Sequence, residues 1–511
     1  MKGFGDQVKS KKKLNYYLTE KKYNQILNEA IKNHSSGNLT EASKYYQYLI
    51  EDGFKDERVF NNYGMILLNS GDLRQARIFI SKVIELNPKD DVAYSNLGGI
   101  LKELGELKEA ELLIRKAIEL NPKNSTTYLN LGGILQDLGK LEEAELSARK
   151  AIEIKSDYAD AYLNLGVILK DLGKLQEAEL SYLKAIEIKP NYAEAYFNLS
   201  LIELLQGNYQ SGFENYEFRL IGDKPSINQG SLKIQRKDNK LFDKGEKLLI
   251  VSEQGLGDTL QYMRYIPYLR NKGLKISFCA HQKLHSLIKS SGIDQNPLTL
   301  KDAREVKEGK WIPLLSLPRY LEINSTKTII SEPYIFSTNQ LKKKWEKILS
   351  KEKRPIIGIN WQGNPKAEKK GLNGRSLPLE TFAILTKNKN FKFLSLQKGF
   401  GSEQLNNCSF LNQFVECQLD INNTWDFLEN AAIVENCDLI ITSDTSIAHL
   451  AGGLGKATWL LLQHIPEWRW GLERENTLWY PSMRLFRQKD RNNWQEVMER
   501  VSIAITKEIT K

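Results

Sequence analysis

Two short stretches in the second half of the chain hold side chains that could do chemistry. The first is Leu248-Leu249-Ile250-Val251-Ser252-Glu253-Gln254-Gly255-Leu256-Gly257-Asp258-Thr259, an apolar strand running into a glycine-rich turn, with a helix expected over Leu260 to Leu269. Gly255 and Gly257 permit close backbone approach at a helix N-terminus, where amides and dipole favour an anion. Asp258 is at odds with an anion site but well placed as a base. Its other reading is as the cap of a helix opening at Thr259. Leu260 replaces the third glycine of G-x-G-x-x-G and no G-K-[ST] follows, so neither a dinucleotide fingerprint nor a P-loop is met. The second stretch runs from Leu439 through Thr442-Ser443-Asp444-Thr445-Ser446 to His449 and Gly455. A strand ending at Thr442 and a helix capped by Ser443 or Asp444 would leave the amides of Thr445 and Ser446 open to an anion. His449, one turn on, could donate to a phosphate or a sugar; its plainer reading is a core histidine.

Weaker signals surround these. Lys398 follows a strand at Phe391–Leu396, and Lys366, Lys369, Lys370 and Arg375 form a basic loop that could serve phosphates but reads first as a solvated surface. Trp468 and Trp470 could stack on a base or simply pack in a core.

The elements that position these groups alternate. Short apolar runs at Lys247–Ser252, Lys275–Ala280, Pro355–Trp361, Phe391–Leu396, Leu439–Thr442 and Thr458–Leu462 are separated by helical patterns, which predicts βαβ units and parallel sheets. A polar stretch with a Lys-rich helix (Leu341–Leu349) precedes Pro355. The reading is therefore two α/β domains, 247–352 and 353–511, joined to the first half by a charged linker, 227–246.

The first half is organised by a period. Gly37, Gly71, Gly105, Gly139, Gly173 and Gly207 fall 34 residues apart, and Ala42, Ala76, Ala110, Ala144, Ala178 and Gly212 keep the same frame. Apolar residues at i, i+3, i+4 and i+7 on both sides of each glycine predict helix pairs that bury their faces only by stacking. One amide recurs in register: Asn62, Asn96, Asn130, Asn164 and Asn198. An amide offers both donor and acceptor to an extended peptide.

Composition narrows the class. The 511 residues are 41% hydrophobic and 27% charged, the profile of a folded protein and not of a disordered chain. No run approaches the roughly 18 apolar residues of a membrane span, and the start of the chain predicts no secretory signal. Cys279, Cys408, Cys417 and Cys437 lack metal or redox spacing and read as buried thiols in a reducing compartment, so the cytoplasm is expected. The net charge of +10 divides as +5 over residues 1–22, −5 over 23–192 and +10 beyond. That basic surface could meet an anionic membrane or a phosphorylated ligand. The aromatic-interleaved code of RNA-binding sheets is missing, which argues against nucleic acid.

The 34-residue frame resembles tetratricopeptide repeats (TPR), over about residues 23–226, after a basic segment 1–22. The strand–Gly255-Leu256-Gly257-Asp258 turn, Trp361-Gln362-Gly363-Asn364-Pro365, Ser443-Asp444-Thr445-Ser446 with His449, Arg469-Trp470 and Trp479-Tyr480-Pro481 resemble the heptosyltransferase family. Together they imply an α-solenoid of TPR helix pairs followed by a GT-B fold, two Rossmann-like domains with the nucleotide-sugar donor on the C-terminal one. By that likeness Asp258 is the general base, and Gly255, Gly257, Asp444, Thr445, Ser446, His449 and Lys398 serve the donor, with no metal and no further cofactor. Ser446 stands where the family has glycine, and Pro267 comes later than its usual proline. The resemblance implies a glycosyltransferase whose repeats recruit an acceptor or partner protein on the concave face. A binding scaffold with a silent transferase domain and a protein O-glycosyltransferase are the alternatives. If the Asn register captures a partner, Asn96, Asn130 and Asn164 changed together to Ala will weaken pull-down of that partner. The helical circular dichroism will stay as in the parent; unaltered capture would make the amides structural only.

Overall fold

The computed structural model describes residues 21–221, 232–324, 329–365, 368 and 374–508. Most of the basic N-terminal segment, part of the linker, and Lys366, Lys369 and Lys370 of the basic loop lie outside the described residues. Packing divides the chain into two units, Met1–Tyr192 and Ala193–Lys511.

The first unit is a stack of helices: α1 (21–35), α2 (Leu39–Glu51), α3 (Glu57–Ser70), α4 (Leu73–Leu86), α5 (Asp91–Leu104), α6 (Leu107–Leu120), α7 (Ser125–Asp137), α8 (Leu141–Ile154), α9 (Ala159–Asp171) and α10 (Leu175–Ile188). The periodic glycines explain the pairing. Gly37, Gly71, Gly105, Gly139 and Gly173 all have φ between 77° and 86°, the left-handed conformation that ends one helix and reverses the chain into the next. Start signals are equally local. Asp56, Asp72, Asp90 and Asn124 cap α3, α4, α5 and α7 by accepting backbone N–H groups of the first turn. The alanines of the frame, Ala42, Ala76, Ala110, Ala144 and Ala178, are wholly buried where paired helices meet. Inner helices α5, α7 and α9 also pack on one another, whereas α6, α8 and α10 make no comparable contact among themselves. The stack therefore curves toward the side of α5, α7 and α9.

The second unit opens with a further helix pair, α11 (Ala193–Gln206) and α12 (Tyr209–Tyr216), with Gly207 at φ 88° between them. The repeat period thus runs past the packing boundary. Aromatic packing explains it: Phe213 meets Trp468 edge-on at 5.7 Å, well inside the second unit.

Its sheets are parallel. Strands β1 (Lys247–Val251), β2 (Lys275–Cys279) and β3 (Lys310–Pro313) are ordered β2-β1-β3. Strands β4 (Ile356–Asn360), β5 (Lys392–Ser395), β6 (Leu439–Ser443), β7 (Thr458–Leu462) and β8 (Met483–Arg487) are ordered β5-β4-β6-β7-β8. All six expected strands are present, within one residue at each end. β3 and β8 are additional. The principal helices are α13 (Leu256–Tyr262), α14 (Tyr265–Asn271), α15 (Asn339–Leu349), α16 (Phe427–Glu435), α17 (Ser446–Gly453) and α18 (Trp494–Glu508). The larger sheet is filled by Ile357, Ile359, Phe393, Ile441, Leu461 and Phe486, with Val497 and Val501 of α18 against it. Among the described residues no helix is long and apolar enough to cross a membrane.

Two local expectations are corrected here. The helix expected over Leu260–Leu269 is two helices. α13 starts four residues early because Gly255 takes the cap position, and α14 restarts around Pro267, whose nitrogen has no proton for the ladder. Thr445, not Ser443 or Asp444, caps α17, its Oγ1 accepting the Ile447 N–H at 3.3 Å.

Tyr182 of α10 carries a strain the repeats do not need. Its ring is fully buried, its hydroxyl finds no hydrogen-bond partner, and burial pushes its pKa up. An orphaned buried polar group costs about 1–3 kcal/mol. Tyr182→Phe will therefore stabilise the repeat stack by about 1 kcal/mol, read as a higher urea midpoint; a lower midpoint would show that the hydroxyl is satisfied.

Candidate functional site

Strand order marks where a ligand can sit in the second unit. From β4 the chain passes outward to β5, then returns to β6 on the other side of β4. Loops leaving the carboxyl ends of β4 and β6 therefore diverge, and such a switch point opens a crevice. Asn360 ends β4, and its Oδ1 accepts Thr445 Oγ1 at 2.8 Å and Thr442 Oγ1 at 3.3 Å across that crevice. Gln397, after β5, ties the same loop together: its Oε1 accepts from Asn360 Nδ2 (2.8 Å), Trp361 N (3.1 Å) and Gln362 N (3.0 Å). In the smaller sheet β1 is central, and its carboxyl end carries the Gly255–Asp258 turn.

The two chemically suggestive stretches meet. The Gly257 backbone lies on the His449 ring so closely that a Cβ there would stand 2.8 Å from His449 Cδ2. Any larger residue would push α13 off α17. Asp258 is bound twice: Oδ2 accepts the Gly255 N–H at 2.9 Å, and Oδ1 accepts from Arg469 Nη2 at 2.6 Å. It sits in the first turn of α13, so the cap expected at Thr259 is replaced by this bond back to Gly255. Arg469 also donates to Glu467 at 2.5 Å and lies over the Tyr262 ring. Its side chain is only 7% exposed. Burial works against the Arg469 cation, yet Glu467 and Asp258 outweigh it and hold its pKa well up. Burial pushes the Glu467 carboxyl up to about 7.

His449 sits one turn into α17. It is buried, stacks on Trp470 at 5.5 Å, and shares a 2.9 Å hydrogen bond between Nδ1 and the Tyr480 hydroxyl. Burial first, then the nearby Arg469, Arg264 and Arg375, press its pKa well below the ordinary value. The imidazolium is disfavoured there, and the ring serves as a hydrogen-bonding group. Asp444 is partly buried, and burial raises its pKa. Arg375 donates to the Asp444 carbonyl at 3.1 Å and pairs with Glu368. Ser446 begins α17 and comes within 3.7 Å of a Cβ built on Gly257. Lys398 lies apart from this cluster: Nζ donates to the Ile421 carbonyl, and burial lowers its pKa to about 8. Trp468 and Trp470 are core residues, 4% and 1% exposed, so neither offers a face to a base. Cys279 and Cys437 are buried as expected, but Cys408 and Cys417 are partly exposed, which corrects the expectation that all four are buried.

Sequence reasoning passed over several members of this site. Asn360, Glu467 and Arg264 carry no motif signal. Arg264 donates to the carbonyls of Trp479 (2.9 Å) and Ile330 (2.5 Å) while lying over the rings of Tyr334 and Tyr480. Ser443 Oγ and both amide atoms of Gln261, one turn beyond Gly257, are buried without a hydrogen-bond partner.

The last helix pair supports the turn from below. Arg219, just after α12, donates to Glu253 at 2.7 and 3.3 Å, to Ser316 Oγ at 2.9 Å and to the Tyr216 carbonyl at 2.9 Å. Glu253 also accepts the Leu315 N–H at 3.2 Å. The next residue, Gln254, is left-handed at φ 58°, and its amide reaches the Tyr216 hydroxyl at 3.4 Å.

The asparagine register is partly engaged. Asn62 donates to the Tyr46 hydroxyl (3.2 Å), Asn130 to Ser95 Oγ (3.2 Å) and Asn198 to the Glu194 carbonyl (2.9 Å). Asn164 Oδ1 is buried and unpartnered, and Asn96 is half-buried.

Family models described as tetratricopeptide repeat match residues 57–90, 92–124, 113–145, 159–192 and 181–212, and one described as TPR repeat matches 132–173. Residues 57–212 carry tetratricopeptide repeats. Similar solved structures include MamA (25% identity, 31% of this chain and 92% of that chain, TM-score 0.28). Another is YrrB, described as a TPR protein with an unusual peptide-binding site (23% identity, 34% and 90%, TM-score 0.28). A third is a tetratricopeptide repeat protein from Parabacteroides merdae (18% identity, 40% and 81%, TM-score 0.35). No curated protein matches this chain.

Removing the Arg219 side chain would strand a fully buried carboxylate. Arg219→Met should cost about 3–5 kcal/mol, the usual consequence of breaking a buried pair from one side. Arg219→Met with Glu253→Gln should recover much of that loss. Urea unfolding followed by tryptophan fluorescence reads both; equal stability of the single and double variants would mean the pair is not coupled.

Proposed function

We propose that the second unit is a glycosyltransferase of GT-B type, related to heptosyltransferases, that takes a nucleotide-diphosphate sugar and delivers the sugar to a hydroxyl. One observation carries this reading. The glycine turn of one parallel sheet and the Ser443–His449 stretch of the other lie against each other at the carboxyl ends of central strands, through Gly257 on His449, and Arg469 from beyond β7 reaches Asp258 at the same place. Attack on an anomeric carbon needs a carboxylate near the acceptor hydroxyl and cations near the leaving diphosphate. Asp258 is that carboxylate. Arg469 and Arg375 are the cations. For Asp258 to accept a proton, Arg469 must turn toward the diphosphate, which its remaining pair with Glu467 permits. Ser443 and Gln261 bring buried polar atoms to the same region. The tetratricopeptide repeats recruit the acceptor or a partner protein. A nucleotide-binding scaffold without turnover is the second reading, favoured by how fully Asp258 is already bonded.

Calorimetry with nucleoside diphosphates, and turnover across a panel of nucleotide sugars, tests this. One diphosphate should bind, and Asp258→Asn should lower turnover by ~10²–10⁴-fold with affinity nearly unchanged. Binding with no turnover would select the scaffold. A panel in which nothing binds would sink both.

A further inference from the structure

The outer helices of the first unit carry a row of exposed apolar side chains. Ile78 on α4, Leu112 on α6, Leu146 on α8 and Leu180 on α10 are 48, 68, 69 and 66% exposed. They are 34 residues apart, so the stacking that aligns the repeats also aligns them. Scattered exposed leucines are ordinary, but these four stand in one register along the row of outer helices. The row lies on the side away from the Asn register, because α5, α7 and α9 form the inner layer.

Charge along this row is graded. One turn before each rung stand Arg74, Lys108, Glu142 and Gln176, all exposed, so the sign reverses in the middle of the row. Whole helices follow the same trend. α4 holds Arg74, Arg77 and Lys82 against Glu85, a net +2. α6 is balanced. α8 sets four glutamates against Arg149 and Lys150, and α10 sets three against Lys184, each a net −2. The later charges of each rung are already neutralised within the helix, by Lys116–Glu119, Lys150–Glu153 and Lys184–Glu187.

We propose that this face binds a second copy of this chain, about a two-fold axis parallel to the outer helices and passing between α6 and α8. Such an axis reverses the row while keeping the helices parallel. Leu112 then meets Leu146 of the second copy and Lys108 faces Glu142, each contact occurring twice, while the outer rungs Ile78 and Leu180 lie opposite each other across a widening gap. A uniformly acidic partner would be repelled at α8 and α10, and a basic one at α4; the reversed copy matches both ends. Because the stack curves away from this side, close contact is confined to the middle rungs, and the dimer is reversible.

Sedimentation velocity on the full chain over a concentration series tests the proposal. The parent should pass from monomer to dimer, and Leu112→Glu with Leu146→Glu should remain monomeric with unchanged helical circular dichroism. Lys108→Glu and Glu142→Lys should each weaken the dimer by about tenfold or more, since each sets like charges opposite twice. Combined, the two swaps should restore it. A parent that stays monomeric, a dimer indifferent to the leucines, or a combined swap that fails to recover overturns the proposal.

Discussion

A buried ion pair underlies the second unit. Arg219 and Glu253 have side chains 3% and 0% exposed. Two charges at that depth are tolerated only when every remaining proton and lone pair is used. Here Ser316, Tyr216, Glu217 and the Leu315 amide complete the set. Glu253 is thereby held at the end of β1, and everything that follows inherits its position. Gln254 turns left-handed, Gly255 caps α13, and Asp258 faces the neighbouring sheet. The helix pair α11 and α12 is for this reason part of the wall that shapes the glycine turn, and more than the end of a repeat array.

A second constraint acts from the larger sheet. Parallel strands send their carboxyl ends one way, and the reversal of order around β4 separates two loops that would otherwise pack together. The opening is bridged by Asn360, Thr442 and Thr445, whose side chains bond across it. Against this bridge α17 presents His449, and the absence of a side chain at Gly257 lets α13 close on it. The concentration of charge there, with Arg469, Asp258, Glu467 and Arg375 near one another, is a cost that a purely structural core would avoid. Its persistence is what makes the region a candidate for chemistry.

Some of this was legible in residue order, and particular elements show why. The turn glycines repeat at 34 residues because each needs the left-handed conformation at the same point of the same unit. Strands β1, β4, β6 and β7 were visible as apolar runs because both faces of a parallel sheet are covered there, whereas the edge strand β2 is buried only at its end. β3 escaped notice because Lys310-Trp311-Ile312-Pro313 is short and ends in proline, and β8 because Met483-Arg484-Leu485-Phe486-Arg487 mixes its arginines with apolar residues.

Residue order by itself determined the repeat period, the turn glycines, the strands other than β3 and β8, and the two stretches that are candidates for chemistry. All of these are set by contacts within a few residues or by recurrence at a fixed spacing. Tertiary structure alone decided what those stretches touch. Asp258 and Arg469 are 211 residues apart in sequence, Arg264 and Trp479 are 215 apart, and what His449 meets, the Tyr480 hydroxyl and the Trp470 ring, is likewise set by the fold. Such pairings depend on desolvation and on the order in which strands enter a sheet, and neither is written in any local pattern of residues.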